Sequence, residues 1–476
     1  MEYSALLTDF YSLTMAQGYW KQRIDQQAVF EMFFRRQPFN GGFSIFAGLE
    51  PLLDTIQHFS FSSEDCEYLS SLGRFDDQFL SFLEHFQFRG DLYAMDEGTV
   101  IFPREPLIRI EGNLIECQLI EGMLLNTINF QSLIATKAAR VWLASGKGTV
   151  MEFGLRRAQG QDGALSASRA AYIGGVSSTS NVLAGKKYSI PVMGTMAHAW
   201  VMSFPNEEEA FQRYADFSSA DPVFLIDTYN TLKSGMPSAI AVGSRLGDGR
   251  NFGVRLDSGD IYYLSAEVRA MLDKAGFPHA TISVSNDLDE SIIEALVTEQ
   301  APVDLWGVGT KMVTAAGDSA FTGVYKLVMR DAGYGSMLPV IKLSDNPEKT
   351  TIPGIKQVWR LYDSKHKAVA DVLTVDPSES LEVGKRYMFW HPSGDYRHFS
   401  HTVEEAPDKL LKLRLHACTP VAAAPSLETV RQRVRSGLDS FDPTYLRLLN
   451  PHAYKVSLTE QLRTLMLDSI QQQFHV

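Results

Sequence analysis

Three short stretches between residues 190 and 260 hold ionisable and hydroxyl side chains in a repeated arrangement. They are Pro191-Val192-Met193-Gly194-Thr195-Met196-Ala197-His198, Phe224-Leu225-Ile226-Asp227-Thr228-Tyr229 and Gly253-Val254-Arg255-Leu256-Asp257-Ser258-Gly259-Asp260. In each, a brief apolar run of buried-strand character leads into a polar cluster and then into a helical pattern. One histidine, two aspartates and an arginine delivered to one rim suit acid–base or phosphoryl chemistry, and the phosphoryl case is the stronger. His198 falls in the first turn of the helix that follows, where the dipole disfavours imidazolium and favours a bound anion. A neutral, oriented imidazole is what nucleophilic attack on a phosphoryl group needs. A lone histidine at a helix start is otherwise satisfied by a backbone carbonyl. Asp227 and Asp257 can fix its tautomer. Each could instead cap a helix, but two at successive strand ends favour function.

Two further clusters extend the set. Asp257-Ser258-Gly259-Asp260 after Arg255 offers carboxylates for a metal or for ribose hydroxyls, and a guanidinium for a carboxylate or phosphate. A strand end followed by a capped helix is the plainer reading. Trp306-Gly307-Val308-Gly309-Thr310 is a small-residue loop whose amides could cradle a phosphate, with Ser285-Asn286-Asp287 similarly placed.

The elements that must position these residues alternate between strand and helix from Thr149 onward. Strands are expected at 149–153, 191–194, 222–226, 251–255, 281–285 and 303–306, with helices near 163–173, 198–217, 235–246, 261–275 and 288–298. Repeated βα units imply a parallel sheet. Ionisable residues beyond several different strands favour an irregular TIM-like β/α barrel over an open sheet with one crevice, although fewer than eight strands are visible. Residues 1–148 form an α+β domain that ends in a long helix from about Gln118 to Ser145, with Gly146 as its C′ residue. Residues 149–325 form the catalytic α/β domain. Residues 326–476 form a C-terminal extension, part of it returning to the N-terminal domain, with a turn at Pro392-Ser393-Gly394-Asp395 and two final helices. Ser457-Leu458-Thr459-Glu460 has the spacing of a capping box for the last helix.

Bulk properties exclude several classes. The chain has 476 residues, 45% hydrophobic and 21% charged, with a net charge of −12. This is ordinary globular composition, and the acidic balance argues against a nucleic-acid groove. Three scattered cysteines, Cys66, Cys117 and Cys418, cannot make a disulfide framework, and no apolar run is long enough to cross a bilayer, so a cytoplasmic enzyme is expected. No P-loop, Rossmann glycine fingerprint, H-E-x-x-H or Cys/His metal spacing occurs.

Five ordered motifs resemble the nicotinate phosphoribosyltransferase family. They are Thr8-Asp9-Phe10-Tyr11, Glu152-Phe153-Gly154-Leu155-Arg156-Arg157-Ala158, Gly194-Thr195-Met196-Ala197-His198, Val254-Arg255-Leu256-Asp257-Ser258-Gly259-Asp260 and Gly307-Val308-Gly309-Thr310. The resemblance implies a homodimer with shared active sites. Its reaction joins nicotinate to phosphoribosyl pyrophosphate (PRPP), coupled to ATP hydrolysis through a phosphohistidine, with Mg²⁺ accompanying PRPP and ATP. On this resemblance His198 is phosphorylated and Asp227 holds it. Tyr11, from the second copy, and Phe153 sandwich the pyridine ring. Thr195, Arg156 and Arg255 contact nicotinate. Asp257 and Ser258 face the ribose, Asn286, Gly307, Gly309 and Thr310 take its phosphate, and Asp257 and Asp260 are the carboxylates nearest Mg²⁺. Nicotinamide phosphoribosyltransferase is the nearest rival, but Ser180-Asn181 stands where that enzyme carries an acid for the amide. Quinolinate phosphoribosyltransferase needs neither ATP nor His198. A sugar-phosphate lyase or isomerase and a catalytically silent scaffold are the readings outside the family.

Overall fold

The computed structural model describes residues 4–24, 26–247, 250–333, 336–346, 349–392 and 397–474. It divides into two compact units, Ile134–Ser319 on the one hand and Met1–Leu133 with Ala320–Val476 on the other.

The Ile134–Ser319 unit carries the parallel sheet. Strands β1 (Thr149–Glu152), β2 (Ser178–Thr179), β3 (Val223–Leu225), β4 (Gly253–Leu256), β5 (Thr281–Val284) and β6 (Leu305–Val308) run in the order β2-β1-β6-β5-β4-β3, every pairing parallel. All carboxyl ends therefore open on one edge, which carries the polar clusters. Alternation along the strands separates two faces. Val254, Leu256, Ile282, Val284 and Val308 are buried in an apolar layer, while Arg255, Ser283 and Gly307 occupy the intervening positions.

The expected barrel is not closed by hydrogen bonds among the described residues. The segment expected as a strand at 191–194 contributes one parallel bridge, Val192 to Thr179, and no described pairing joins it to β3. The cause is local. Pro191 has no N–H to donate, and Pro191–Gly194 are exposed, so no burial holds a longer strand. The helix expected at 198–217 is likewise two helices, His198–Met202 and Glu207–Phe217. Pro205 disfavours helical geometry at Phe204, and Asn206 opens the second helix by accepting from the Glu209 N–H at 2.9 Å. The remaining helices fall close to expectation, at Gly160–Ile173, Met236–Gly243, Ile261–Lys274 and Glu290–Thr298. The long helix is broken once, into Leu114–Leu119 and Glu121–Ala144. Gly146, at φ 66°, then turns the chain, and the Lys147 N–H returns to the Trp142 carbonyl at 3.0 Å.

The other unit is built on two large sheets, with a two-stranded pair of Ser44–Ile45 and Val100–Ile101 beside them. A seven-stranded antiparallel sheet interleaves the chain's two ends in the order Met337–Pro339, Gly323–Asp331, Gln27–Phe34, Ile108–Asn113, Asp91–Ala94, Lys412–His416 and Thr419–Pro420. A six-stranded sheet is formed wholly by the C-terminal extension and packs around Leu361, Val372, Leu381, Phe389 and Val403. Ser457 does not cap the last helix. Val456–Leu458 is a strand, paired in parallel with Ala368–Val375, and the helix begins at Glu460. The expected turn at Pro392-Ser393-Gly394-Asp395 falls, beyond Pro392, outside the described residues. No helix among the described residues is long and apolar enough to cross a membrane.

Candidate active site

Each strand end delivers one piece of the site. Arg255 projects from β4, and its Nη1 donates to Thr195 Oγ1 and, at 3.3 Å, to the Met196 carbonyl. Its Nη2 lies 3.6 Å from Asp257 Oδ2, with side-chain exposures of 15% and 31%. Its Nε is buried without a hydrogen-bond partner among the described residues, as is Ser283 Oγ on the residue beside it in register. Buried polar atoms are nearly always satisfied, so two adjacent orphans on one face mark where a polar ligand belongs.

His198 sits at the start of its five-residue helix, its side chain 41% exposed, with Nε2 3.6 Å from Asp257 Oδ2. The short helix lends it less dipole than a helix continuing to 217 would. Its Nδ1 meets Thr228 Oγ1 at 3.1 Å. The orienting contact expected from Asp227 thus comes from the next residue along. Asp227 turns the other way: its Oδ2 accepts from the Asp257 N–H at 2.9 Å and from Ser258 Oγ at 2.6 Å. It fastens the end of β3 to the end of β4. Asp257 Oδ1 in turn accepts from Ser285 Oγ at the end of β5. Three consecutive strand ends are tied by carboxylates, and His198 and Arg255 face the same Asp257 oxygen.

The β1 end is organised by Glu152. Its buried carboxylate accepts from Thr179 Oγ1 at 2.5 Å, from Ser168 Oγ at 3.0 Å and from the Gly154 N–H. This holds the turn that presents Phe153. The Phe153 N–H bonds the Val308 carbonyl at 2.9 Å, and its ring lies over Gly307, where an added Cβ would come within 2.8 Å of ring carbons. Gly307 is therefore required by the ring as much as by any phosphate. Gly309 and Thr310 follow at the start of a short helix. Arg156, on a 3₁₀ turn at Leu155–Arg157, is exposed and has no partner among the described residues. Asn286 is exposed with φ 97°, a left-handed conformation outside glycine's usual monopoly. Asp260 caps the helix Ile261–Lys274 through its Oδ1, at 3.0 Å from the Tyr263 N–H.

Tyr11 belongs to the other unit. It lies on the helix Phe10–Lys21, half-exposed, with its hydroxyl donating to Glu121 Oε2 at 2.9 Å. Partial burial and the Glu121 charge push its pKa up to about 12.

Thr228 and Glu152 have site contacts that the sequence reading did not assign; Ser283 brings an unassigned orphan hydroxyl beside Arg255, and Ser285, read only with the phosphate-side loop, bonds Asp257. The signal for two of them was present, because Thr281-Ile282-Ser283-Val284-Ser285 alternates apolar and hydroxyl residues and so puts both serines on one face.

Fold and site together define an α/β protein that gathers an imidazole, a guanidinium and carboxylates at the carboxyl edge of a parallel sheet, ready for an anionic substrate. Comparison with known proteins makes this specific. The nicotinate phosphoribosyltransferase family's N-terminal domain matches residues 6–129, its family description residues 149–375 and its C-terminal domain residues 355–466. Nicotinate phosphoribosyltransferase of Bacillus subtilis (strain 168) is 43% identical over 459 residues, covering 96% of this chain and 93% of its own. The human enzyme of that name is 34% identical over 522 residues, covering 97% and 96%. The crystal structure of human nicotinic acid phosphoribosyltransferase superposes with a TM-score of 0.84 at 31% identity, covering 98% of this chain and 99% of that one. The chain belongs to the nicotinate phosphoribosyltransferase family.

Proposed function

We propose that this chain joins nicotinate to PRPP, giving nicotinate mononucleotide and diphosphate, in NAD biosynthesis. The pyridine nitrogen forms its bond to C1 of the ribose as the C1–oxygen bond to diphosphate breaks. The observation that carries the reading is Arg255. It is mostly buried, steadied by Thr195, and retains an unpartnered Nε beside the orphaned Ser283 hydroxyl. A carboxylate can take charge-assisted, fork-like bonds there. Phe153, held over Gly307, would stack one face of the pyridine ring, and Tyr11 of a second copy the other, in a homodimer. Arg156 is the second cation available to the substrates. Asp257 and Ser258 would take the ribose, and Asn286, Gly307, Gly309 and Thr310 its phosphate. The irregular barrel remains part of this reading, with its seam between Val192 and β3, as does a cytoplasmic location.

Coupling to ATP is assigned to His198. With Nδ1–H donated to Thr228, the Nε2 lone pair attacks the γ-phosphorus of ATP. An N–P bond forms and ADP leaves. Asp227 acts at one remove, by holding Asp257 and Ser258 in place. Mg²⁺ would travel with the phosphates of PRPP and ATP and offset their charge. Asp257 and Asp260 would be the carboxylates nearest it, with Asp260 also capping its helix.

Incubation with radiolabelled nicotinate or nicotinamide, PRPP and Mg²⁺, with and without ATP, tests the reading. Nicotinate should be the better substrate and ATP should accelerate the reaction. His198→Ala should lose ATP hydrolysis and the acid-labile phosphoprotein while keeping slow, ATP-independent synthesis. ATP hydrolysis at the unaltered rate in that variant would refute the phosphohistidine, and a preference for nicotinamide would refute the substrate.

A further inference from the structure

The C-terminal extension, together with Asp96, Thr99 and Val100, lines an open cavity of about 810 Å³ within its own unit, bounded by the end of Lys356–Tyr362, the segment 407–412 and the helix Leu427–Asp439. That volume lies in the range of roughly 300–1,000 Å³ typical of small-molecule sites. Its charge runs against the rest of the protein. Six of the lining side chains are Lys or Arg and three are Asp; with Arg360 closed on Asp371 and Lys409 3.9 Å from Asp376, the cations left to a ligand are Lys365, Lys367, Lys412 and Arg433.

The excess is local and specific. On one wall Asp96 faces three cations at once: Lys412 Nζ at 2.6 Å, Arg414 Nη2 at 2.5 Å and Arg433 Nη2 at 3.9 Å. One carboxylate cannot neutralise three. Burial pushes the Asp96 carboxyl up, but the hydrogen bonds and charges of Lys412 and Arg414 outweigh it and hold the pKa down at about 2. Lys365 and Lys367 add two more charges. Both act on the exposed Asp363 carboxyl, which backbone N–H bonds and their charges hold below its usual range, and Lys367 Nζ donates to the backbone carbonyl of Asp439 at 2.5 Å. Clustered like charges destabilise the fold unless something offsets them. The cavity also has a flat aromatic side, where the rings of Tyr362 and His366 stack 4.5 Å apart at 10°.

We propose that this cavity binds a phosphate-bearing small molecule, at a site separate from the strand-end site. A phosphate supplies two negative charges and several acceptor oxygens where Lys365, Lys367, Lys412 and Arg433 supply donors. The size and the aromatic side accommodate a nucleotide, and a free phosphate would satisfy the same cations.

Isothermal titration calorimetry on the full-length chain tests this, with AMP and inorganic phosphate as separate titrants. The comparison is between the unaltered protein and Lys365→Glu/Lys412→Gln. AMP should bind the double variant at least ten-fold more weakly at one site per chain, while kcat/KM for nicotinate measured without AMP stays unchanged. Phosphate lost in parallel and at equal affinity assigns the site to free phosphate; AMP bound ten-fold more tightly than phosphate assigns it to a nucleotide. If the double variant is poorly folded, Lys365→Ala, an exposed change, should still weaken binding about three-fold. Identical affinity and stoichiometry in a folded variant and the unaltered protein would overturn the proposal.

Discussion

Two Arg–Asp pairs show opposite uses of the same chemistry. Arg360 and Asp371, in the two-sheet unit, are closed on each other, with side-chain exposures of 5% and 0%. Nε and Nη2 of Arg360 reach the two carboxylate oxygens at 2.8 and 2.6 Å, Nη2 also reaches the Val100 carbonyl, and Tyr454 donates its hydroxyl to Asp371 at 3.1 Å. Burial and the Asp371 charge push the neighbouring Glu105 carboxyl well up, and its Oε1 accepts from the Phe102 N–H at 2.6 Å. Arg255 and Asp257 stand 3.6 Å apart, partly open to solvent, each turned toward other partners, and Arg255 keeps an orphaned donor. A pair that holds the fold together satisfies itself. The pair proposed to serve a substrate is kept apart and left unfinished.

Breaking the closed pair should have the largest effect. Asp371→Ala strands a buried guanidinium and should cost about 3–5 kcal/mol of stability in urea titration. Asp257→Ala should cost less than about 1 kcal/mol, because its neighbours can reach water. Equal losses would erase the distinction. Asp96 lies between these extremes. Its folded pKa, about 2, is below the ordinary 3.8, so its contribution is present above 3.8 and is lost as pH falls toward 2. On the order of 2 kcal/mol is at stake, and acid titration of Asp96→Asn should show a correspondingly shallower loss across that window. The smallest effect is expected at Thr228. Thr228→Val keeps the shape and removes the acceptor on His198 Nδ1. It should slow ATP-dependent phosphorylation of His198 about five-fold, the equivalent of about 1 kcal/mol, in single-turnover assays. An unchanged rate would show that the Thr228 contact does not orient the imidazole for attack.

What was legible in the sequence followed from local patterns. The strands at Thr149, Thr281 and Leu305 were visible because buried parallel strands are short apolar runs, and the polar residues after them had to meet on one edge. The segment at 191–194 misled because its apolar residues are exposed rather than buried, and Pro205 was outweighed by the helical spacing on both sides of it. The exchange of Asp227 for Thr228 on His198 could not be read, since neighbouring residues past a strand end differ by a turn of the backbone that spacing does not encode. The parallel pairing of Val456–Leu458 with Ala368–Val375 joins segments about eighty residues apart, a long-range choice that no local pattern announces.

The contrast between the two pairs rests on Arg255 being reserved for the substrate's carboxylate. The direct measurement is kcat/KM for nicotinate and for nicotinamide in Arg255→Ala, Arg255→Lys and the unaltered protein. Losing the guanidinium should cost nicotinate roughly 2–5 kcal/mol, a fall of ten-fold or far more. Nicotinamide, lacking the charge, should lose much less, so the preference for nicotinate collapses. Lysine should restore it only in part, because a point charge cannot reproduce the fork. Equal losses for both bases would contradict the account, showing that Arg255 serves PRPP, and would leave the carboxylate to the exposed Arg156.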